Sequence, residues 1–381
     1  MKFIVNSQTF AKEIQALSGV LSSNNNTVPI INCFLFQLED DGLKVTATDL
    51  ETTLQAKIAL EESRAEGVSQ VAVPAKILLD TLKTLDNAPL TCTVDPVTLS
   101  VELVSGEGHY NLAGMNPETF PTTPTVNEPK MATMPASVLV EAITKTAFAA
   151  STDEMRQQMA GIFMRFNGDG VTIVATDAHK LVRYSHTNVA ADEEMSFILP
   201  RKPITLIKNI LAGKKEDVEV TLQFDSTNVT FSYEGFFAVC RLVEGKYPNI
   251  EAAIPKENPN HLHVNRQTLL NTLRRVSIFA SQSTHQVRLA MKDSTLQVSA
   301  EDMEFSNHAI ESMPCTYEGE PMEIGFNARF LMEMVNNINT ETIRIEMSHP
   351  GRAGIIYPNY AEDEEHQETI LMLVMPVMLA N

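Results

Sequence analysis

The chain has 381 residues, too many for one ordinary hydrophobic core and typical of two or three domains. Hydrophobic residues make up 44% of it, aromatic residues only 6%, and Trp is absent, so aliphatic side chains and 18 Met must fill the cores. The formal net charge of −19 would exclude nucleic acid as a partner if the charge were evenly spread, but it is not.

The four Cys are far apart and none belongs to a CxxC pair, so we expect small buried side chains in a reducing compartment. No stretch reaches the roughly 18 apolar residues of a membrane span. The amino-terminal MKFIVNSQTF is interrupted by polar residues and does not resemble a signal peptide. We therefore expect a soluble cytoplasmic protein with no membrane partner.

The first predicted element is an amphipathic helix, and it occurs three times. Its copies begin with VNSQTF at 5–10, MPASVL at 134–139 and VNRQTL at 264–269. Phe10, Leu139 and Leu269 align, and from each of them the spacing i, i+4, i+7, i+11 marks an apolar stripe. Asn6 and Asn265 stand where a helix N-cap would.

A strand that ends in a polar turn comes next in each copy. The copies are GLKVTATD at 42–49, GVTIVATD at 170–177 and TLQVSAED at 295–302. The alternation of β-branched and polar residues fits a half-buried strand. Asp49, Asp177 and Asp302 look like candidate catalytic carboxylates, but capping of the following turn explains three equivalent positions better.

The third repeated element is a strand end followed by a helix. Its copies are VPAKILLDTLKTL at 73–85, LPRKPITLIKNIL at 199–211 and GFNARFLMEMVNNI at 325–338. Three elements in one order predict three copies of a single domain, each with two helices packed on antiparallel sheets, which is an α+β fold class. Seams rich in Pro and polar residues place the domains at 1–128, 129–257 and 258–381.

Basic residues concentrate in the six predicted helices. These segments hold thirteen Lys or Arg and five Asp or Glu, and they are residues 6–22, 75–86, 137–150, 201–215, 266–279 and 327–339. Helices accept Glu as readily as Lys, so helix propensity does not explain the bias. A basic helix face attracts the phosphates of a polyanion without reading its bases, and the acidic remainder would confine the polyanion to that face.

Motifs of catalysis are missing: there is no Walker loop, no GxSxG and no HExxH. Gly106-Glu107-Gly108 lacks the third glycine of a dinucleotide site and predicts a hairpin turn. His261 and His263 share a strand face without further metal ligands nearby, and the acidic run at 362–366 is typical of a solvated loop. We expect no enzyme, no cofactor and no metal.

Short motifs occur along the whole chain in the order of one known family. They include TATDLE, VPAK, NPETFP, ATDAHKL, LPRK, RLVEGKYPN, EIGFN and the C-terminal VMPVML. With the three repeats, they make the chain resemble the bacterial DNA polymerase III beta subunit, the sliding clamp. The resemblance implies a closed head-to-tail homodimer of six similar domains. That ring encircles double-stranded DNA without sequence specificity and tethers polymerases for processive synthesis.

The same resemblance implies partners that carry short clamp-binding peptides: the DNA polymerase III alpha subunit, the clamp loader and other DNA-processing proteins. Their groove would lie between domains 2 and 3. The matching positions are Met159, Thr176, His179, Leu181, Pro248, Val374, Met375, Pro376 and Val377. Apolar walls and adaptable Met side chains suit a groove that serves several peptides.

Ring closure, by resemblance, joins domain 1 of one chain to domain 3 of the other. The candidates are Tyr110 and Leu112 in domain 1 and Ile278 and Phe279 in domain 3. Their charged flank is Glu301, Asp302 and Glu304. Ordinary core packing is the alternative for Ile278 and Phe279. A contact between unlike faces that closes after one rotation gives a ring.

The DNA-facing candidates combine the helical basic residues with one position carried over from the family. They are Lys12, Lys76, Lys83, Lys145, Arg156, Arg201, Lys202, Lys208, Arg266, Arg274, Arg275 and Arg329. The loop SSNNNT at 22–27 lacks a basic residue, Gln157-Gln158 replace aromatic residues, and Lys180 replaces Arg, so these positions depart from the family. A protein-binding scaffold without DNA and a hydrolase with a hidden site are the alternatives; the basic helices favour the clamp.

Overall fold

The computed structural model describes residues 1–21, 28–65, 67–153, 155–187, 189–191, 193–213, 217–360 and 366–379. Several positions named from the sequence lie outside the described residues. They are the loop 22–27, Lys214, Lys215, most of the acidic run and the tail residues Ala380 and Asn381.

Each of the six predicted helices is present in the described chain. They are α1 Ser7–Ser18, α2 Ala75–Leu82, α3 Ala136–Thr146, α4 Arg201–Ala212, α5 Arg266–Val276 and α6 Ala328–Asn336. All six end before the predicted limit. The chain continues α3 and α5 as short 3-10 helices, Ala147–Ala149 and Ser277–Phe279.

The strands of the first two repeats are short and mostly joined by tight turns. They are β1 Lys2–Asn6, β2 Cys33–Glu39, β3 Gly42–Thr48, β4 Thr52–Ile58, β5 Glu62–Arg64, β6 Gln70–Pro74, β7 Pro89–Val94, β8 Ser100–Ser105, β9 Gly108–Ala113, β10 Lys130–Pro135, β11 Gly161–Asn167, β12 Gly170–Thr176, β13 Lys180–His186, β14 Ala190–Ala191, β15 Met195–Pro200, β16 Glu219–Phe224, β17 Asn228–Tyr233 and β18 Phe236–Arg241.

The third repeat continues the same pattern. Its strands are β19 Asn260–Asn265, β20 Gln286–Lys292, β21 Thr295–Asp302, β22 Asn307–Pro314, β23 Thr316–Glu318, β24 Met322–Asn327, β25 Thr342–Met347, β26 Gly354–Pro358 and β27 Glu368–Val374. β3, β12 and β21 coincide with the three strand copies predicted from the sequence.

Asparagine side chains begin three of the helices. Asn6 Oδ1 accepts the amides of Gln8 and Thr9, both at 3.1 Å, and Asn265 Oδ1 accepts the amide of Thr268 at 2.9 Å. These bonds satisfy amides that have no partner within the helix, so both predicted N-caps are confirmed. Asn327 caps α6 in the same way and was not predicted.

The predicted apolar stripe of α1 lies in the core. Phe10, Ile14 and Leu17 are fully buried. The ring of Phe10 lies 6.2 Å from that of Phe3 and 5.8 Å from that of Phe36, and both pairs meet edge to face. Burial of each such side chain stabilises the fold by about 1.5–3 kcal/mol.

The described chain divides into two compact units, Met1–Ser137 with Lys202–Leu242 and Val138–Arg201 with Val243–Asn381. In the first unit the strands pair in the orders β10-β16-β17-β18-β4-β3-β2-β6 and β5-β1-β7-β8-β9. In the second unit the orders are β15-β11-β12-β13-β27-β26-β25-β19-β23 and β22-β21-β20-β24. The second repeat contributes strands to both units, and the domain boundaries at 128 and 257 stay a prediction.

Each long sheet joins strands of two repeats by an antiparallel pairing. In the first unit β18 pairs with β4, with Cys240 opposite Thr52. In the second unit β27 pairs with β13, with Val374 opposite Lys180. We call these pairings the first junction and the second junction. In both, the last strand of one repeat meets the fourth strand of the repeat before it.

Candidate functional site

The turn between β12 and β13 is held by its own side chains. Thr176 Oγ1 donates to the carbonyl of Lys180 at 2.7 Å, and Asp177 Oδ1 accepts the amides of His179 and Lys180 at 2.9 and 2.8 Å. Asp49 accepts the two equivalent amides in the turn between β3 and β4. The prediction that these aspartates cap turns is confirmed for Asp49 and Asp177.

The C-terminal tail lies against this turn. The amide of Met375 donates to the carbonyl of His179 at 2.8 Å, and the amide of Val377 donates to the carbonyl of Gly325 at 2.8 Å. Pro376 bridges to Phe326 between them. The tail is therefore held in place by its main chain, and the expectation that Met375 and Pro376 form a groove wall stays a prediction.

A buried apolar cluster underlies the turn. Leu181, Leu371, Leu373 and Ile355 are among its members, and Tyr247 packs with them. Tyr247 thereby fixes the position of the next residue, Pro248. The sheet pairing adds Val374, which lies opposite Lys180.

The nine residues expected to form the groove, which we call the candidate groove, fall into two groups. Six are exposed or half-buried: Met159, His179, Pro248, Met375, Pro376 and Val377. The other three, Thr176, Leu181 and Val374, are buried. Direct contact with a ligand is open to the first group, and the expectation that the three buried side chains also line the groove stays a prediction. The backbone hydrogen bonds of Met159 stay within residues 151–160.

A buried cation lies beside the candidate groove. The Lys180 side chain is 7% exposed and forms an ion pair with Glu333 of α6, with Asp177 3.9 Å away. Its Nζ also lies 5.0 Å from the ring centroid of Phe330, whose ring stacks on His179 at 6.1 Å. The single amine thus joins the turn to α6, a contact that the sequence did not reveal because Glu333 and Lys180 are 153 residues apart.

Most of the DNA-facing candidates are solvent-exposed. The exposed ones are Lys12, Lys76, Lys83, Arg156, Arg201, Lys202, Arg274, Arg275 and Arg329. Lys208 and Arg266 are half-buried. Lys202 pairs with Asp49, and Arg275 pairs with Glu311 at 2.7 Å, so these two are partly neutralised within the chain.

Lys145 departs from the expectation. It is 6% exposed, and its Nζ donates to the carbonyl of Asn337 at 2.8 Å. Burial lowers the pKa of this amine. Lys145 is therefore a buried structural residue and does not belong to the DNA-facing set. The sequence places it on a helix but does not tell which face of the helix it occupies.

The ring-closing candidates lie on or near two edge strands. β9 and β22 each pair on one side only within the described residues. Tyr110 on β9 is 38% exposed, and Ile278 and Phe279, after α5, are 73% and 40% exposed. Ordinary core packing is therefore excluded for Ile278 and Phe279.

Two of the expected interface residues are buried instead. Leu112 is 3% exposed, because it packs into its own sheet, and Asp302 is 6% exposed and accepts the amide of Glu304 at 3.1 Å. Both side chains are buried within the single chain, so their part in the interface stays a prediction, while Glu301 and Glu304 are exposed.

Four exposed apolar side chains on or near these edges were not predicted from the sequence. They are Ile77 on α2, Met303 and Phe305 in the turn after β21, and Ile310 on β22. A signal existed for the turn: it carries four residues, 303–306, where the equivalent turn after Asp177 has only Ala178 and His179. Apolar residues in a lengthened turn indicate a contact surface.

The described residues contain no group of three or more His, Cys, Asp and Glu side chains that could hold a metal ion. Among the helices in the described part of the chain, none is long and apolar enough to cross a membrane.

Comparison with known proteins covers the chain from end to end. Models of the N-terminal, central and C-terminal domains of the DNA polymerase III beta subunit match residues 1–124, 133–249 and 251–374. Beta sliding clamps of Synechococcus elongatus and Vibrio cholerae are 28% and 26% identical over 388 and 381 residues, with full coverage of both chains. A crystal structure of a DnaN sliding clamp from Pseudomonas aeruginosa, bound to griselimycin, matches with a TM-score of 0.92 at 26% identity, again over all of both chains.

Proposed function

The chain belongs to the DNA polymerase III beta subunit family, and we propose that two copies of this sliding clamp join head to tail in a closed ring around duplex DNA. It is a processivity factor and not an enzyme. The observation that carries the ring is the repeated strand pairing at the two junctions.

At both junctions the last strand of one repeat pairs with the fourth strand of the preceding repeat. The last strand of the first repeat is β9 and the fourth strand of the third is β22. Each pairs on one side only in the described chain. A second copy supplies the missing partner for both. Because β9 and β22 are unlike faces, the contact is heterologous, and it gives a ring when the rotation between copies closes.

The junctions also support a particular register for this pairing. Leu112 is the structural equivalent of Cys240. The amide of Asp95 donates to the carbonyl of Ser100 at the start of β8, as the amide of Asp225 donates to that of Asn228 at the start of β17. Ser100 lies opposite Ala113 and Asn228 opposite Arg241, so the residues before these, Leu112 and Cys240, correspond. Asn307 of β22 is the structural equivalent of Lys180. Asn307 lies opposite Asp302 across the turn, and the amide of Asp177 donates to the carbonyl of Lys180 across the equivalent turn. Leu112 should therefore lie opposite Asn307 of the second copy.

Two residues along in that register, Tyr110 lies opposite Ala309 of the second copy. At the junctions the main-chain hydrogen bonds join Arg241 to Glu51 and Met375 to His179. Bonded and non-bonded pairs alternate along an antiparallel ladder, and in this alternation Tyr110 and Ala309 form a non-hydrogen-bonded pair. Such pairs have Cα atoms about 4.5 Å apart.

Side chains support the same contact between β9 of one copy and β22 of the other. Lys202, at the second position of α4, pairs with Asp49 at the first junction. The equivalent residues are Lys76 of α2 and Asp302, so an ion pair between subunits is expected there. Beside Lys76, a cavity of about 520 Å³ lies between Ile77 and Tyr110 and offers room for apolar side chains of the second copy.

DNA binding rests on charge. The six helices contain ten basic and four acidic residues, while the whole chain carries −19. Most of the basic side chains are exposed. A duplex held by phosphate contacts alone can slide, because no base is read.

The candidate groove is our proposed site for peptides of the polymerase alpha subunit, the clamp loader and other DNA-processing proteins. Exposed His179, Pro248 and Met375 surround a rigid apolar floor. A preformed apolar groove with few polar groups is typical of peptide recognition.

A disulfide across the seam tests the ring. With Cys315 replaced by Ser, the double variant Tyr110→Cys and Ala309→Cys should form a covalent dimer on oxidation, because the pair lies within disulfide reach. The matched control is Tyr110→Cys with Ile310→Cys, whose side chains point to opposite faces. Equal cross-linking of both variants would contradict the register.

The cross-linked ring then tests encirclement. Loaded on nicked circular DNA before oxidation, it should stay bound through high salt and leave after the circle is cut, since topology and not affinity retains it. A scaffold that does not encircle DNA would be lost equally from circular and linear DNA, and that result would favour the alternative function.

A further inference from the structure

The two junctions differ in one space between helix and sheet. Ala56 of β4 lies opposite Phe236 at the first junction, and Tyr184 of β13 lies opposite Ile370 at the second. Ala56 and Tyr184 hold equivalent positions. Ala56 lies opposite Val45, three residues before Thr48, and Tyr184 lies opposite Ile173, three residues before Thr176. An alanine thus stands where the other junction has a tyrosine.

At the second junction this space is full. Tyr184 is fully buried, and Lys145 of α3 reaches the carbonyl of Asn337 at 2.8 Å. Burial, with the nearby carboxylates of Glu368 and Glu141, raises the pKa of Tyr184, so its hydroxyl stays protonated beside two acids.

At the first junction the same space is a cavity of about 390 Å³. Ala16 stands in the place of Lys145, six residues after the first stripe residue of its helix, and Ala56 in the place of Tyr184. Both alanines line the cavity, and so does Ile210, the counterpart of Asn337.

The lining has an apolar floor and a polar rim. Leu17, Leu206 and Phe236 form part of the floor, and the ring of Tyr233 stacks on Phe236 at 5.1 Å. Lys12 and Glu234 lie at the rim. Glu234 is the counterpart of Glu368, because Glu234 comes two residues before Phe236, which faces Ala56, and Glu368 comes two residues before Ile370, which faces Tyr184. Ligand sites are typically apolar cavities of this size with a few polar groups.

We propose that this cavity binds a small phenol, a single aromatic ring with one hydroxyl group, in the place that Tyr184 occupies at the second junction. The flat ring fills the space above Ala56 against the Tyr233 and Phe236 rings. The hydroxyl is within the polar rim, where Glu234 accepts and Lys12 donates hydrogen bonds. The site shares Lys12 with the DNA-facing candidates but lies outside the candidate groove, and its test uses no DNA, so it stands or fails independently of the proposed function.

The probe is p-cresol, which is the tyrosine side chain as a free molecule. Titrated into the full-length dimer and followed by ligand-observed NMR and calorimetry, it should bind saturably with one site per chain. Ala56→Tyr fills the cavity with the side chain of the other junction and should weaken binding at least about tenfold. Ala56→Ser keeps the cavity open and should bind as the original chain does.

The converse variant is Tyr184→Ala, which opens the second junction and should raise the stoichiometry from one to two p-cresol molecules per chain. If that variant does not fold, the comparison of Ala56→Tyr with Ala56→Ser decides alone. Non-saturable binding to the original chain, or equal affinity of Ala56→Tyr, would overturn the proposal.

Discussion

The amide of Met375 donates a 2.8 Å hydrogen bond to the carbonyl of His179, so the tail is anchored to the β12–β13 turn by main chain and not by its side chain. The side chain of Met375 is 40% exposed. It is therefore available to a ligand and can be changed without releasing the wall.

Met375→Ala should weaken the binding of a polymerase peptide by roughly tenfold or more, because an exposed apolar anchor is lost while the turn and tail keep their main-chain bonds. Fluorescence anisotropy with a labelled peptide measures the change. Met378→Ala is the matched control, since Met378 is 78% exposed in the same tail. Comparable losses in both variants would place the groove elsewhere.

Glu333→Gln should lower the free energy of unfolding by about 1–2 kcal/mol, because the buried ammonium of Lys180 loses the nearer of its two charged partners. The half-exposed Glu333 limits the effect, since water partly replaces the lost charge. Denaturant unfolding measures it. Glu194→Gln breaks the exposed pair with Arg165 and should cost less than about 0.5 kcal/mol. An unchanged Glu333→Gln variant would show that Asp177 and the aromatic neighbours hold Lys180 without the charge of Glu333.

Replacing Lys12 and Arg274 by Ala should weaken DNA binding and reduce the slope of log affinity against log salt by about one for each phosphate contact removed. Both are exposed helix residues. Lys130→Ala removes an exposed charge from β10 and should leave the slope unchanged. A slope that falls equally in the control would show that DNA responds to total charge and not to the helices.

Asp225 provides a pH-dependent contribution to stability. Burial alone would raise the pKa of this carboxyl, but hydrogen bonds from the amides of Asn127, Thr227 and Asn228 outweigh it and hold the pKa below its usual value of 3.8. A depressed pKa in the folded state gives stability that is present above about pH 4 and is lost as pH falls through the lowered value.

Asp225→Asn should therefore cost roughly 1 kcal/mol at pH 7 and progressively less below pH 4. Urea unfolding at a series of pH values checks this. Asp169→Asn, at an exposed position of another hairpin, is the control. A pH-independent difference between Asp225→Asn and the original chain would remove the carboxylate from the explanation.

Local features were predictable from the sequence because they depend on neighbours in the chain. The stripe of α1, the caps at Asn6 and Asn265 and the turn aspartates Asp49 and Asp177 each act within a few residues. Helix periodicity and turn chemistry determine them directly.

Features that depend on distant partners were not predictable. Lys145 lies on a helix like the other basic residues, yet it is buried because Asn337 accepts its amine from 192 residues away. Leu112 and Tyr110 alternate on one strand, and only the sheet decides which of them faces the core. Met303 and Phe305 are exposed in the turn after β21, and no hydrophobic periodicity in the sequence indicated this.

The junction pairing has a consequence for how the chain is made. Thr52 cannot meet Cys240 until the polypeptide in between has been synthesised, so β4 leaves the ribosome as a bare edge strand. Such an edge invites pairing with the wrong strand. Lys57 is exposed near the end of β4 and places a charge on that edge, which disfavours pairing with a wrong strand before β18 has been synthesised.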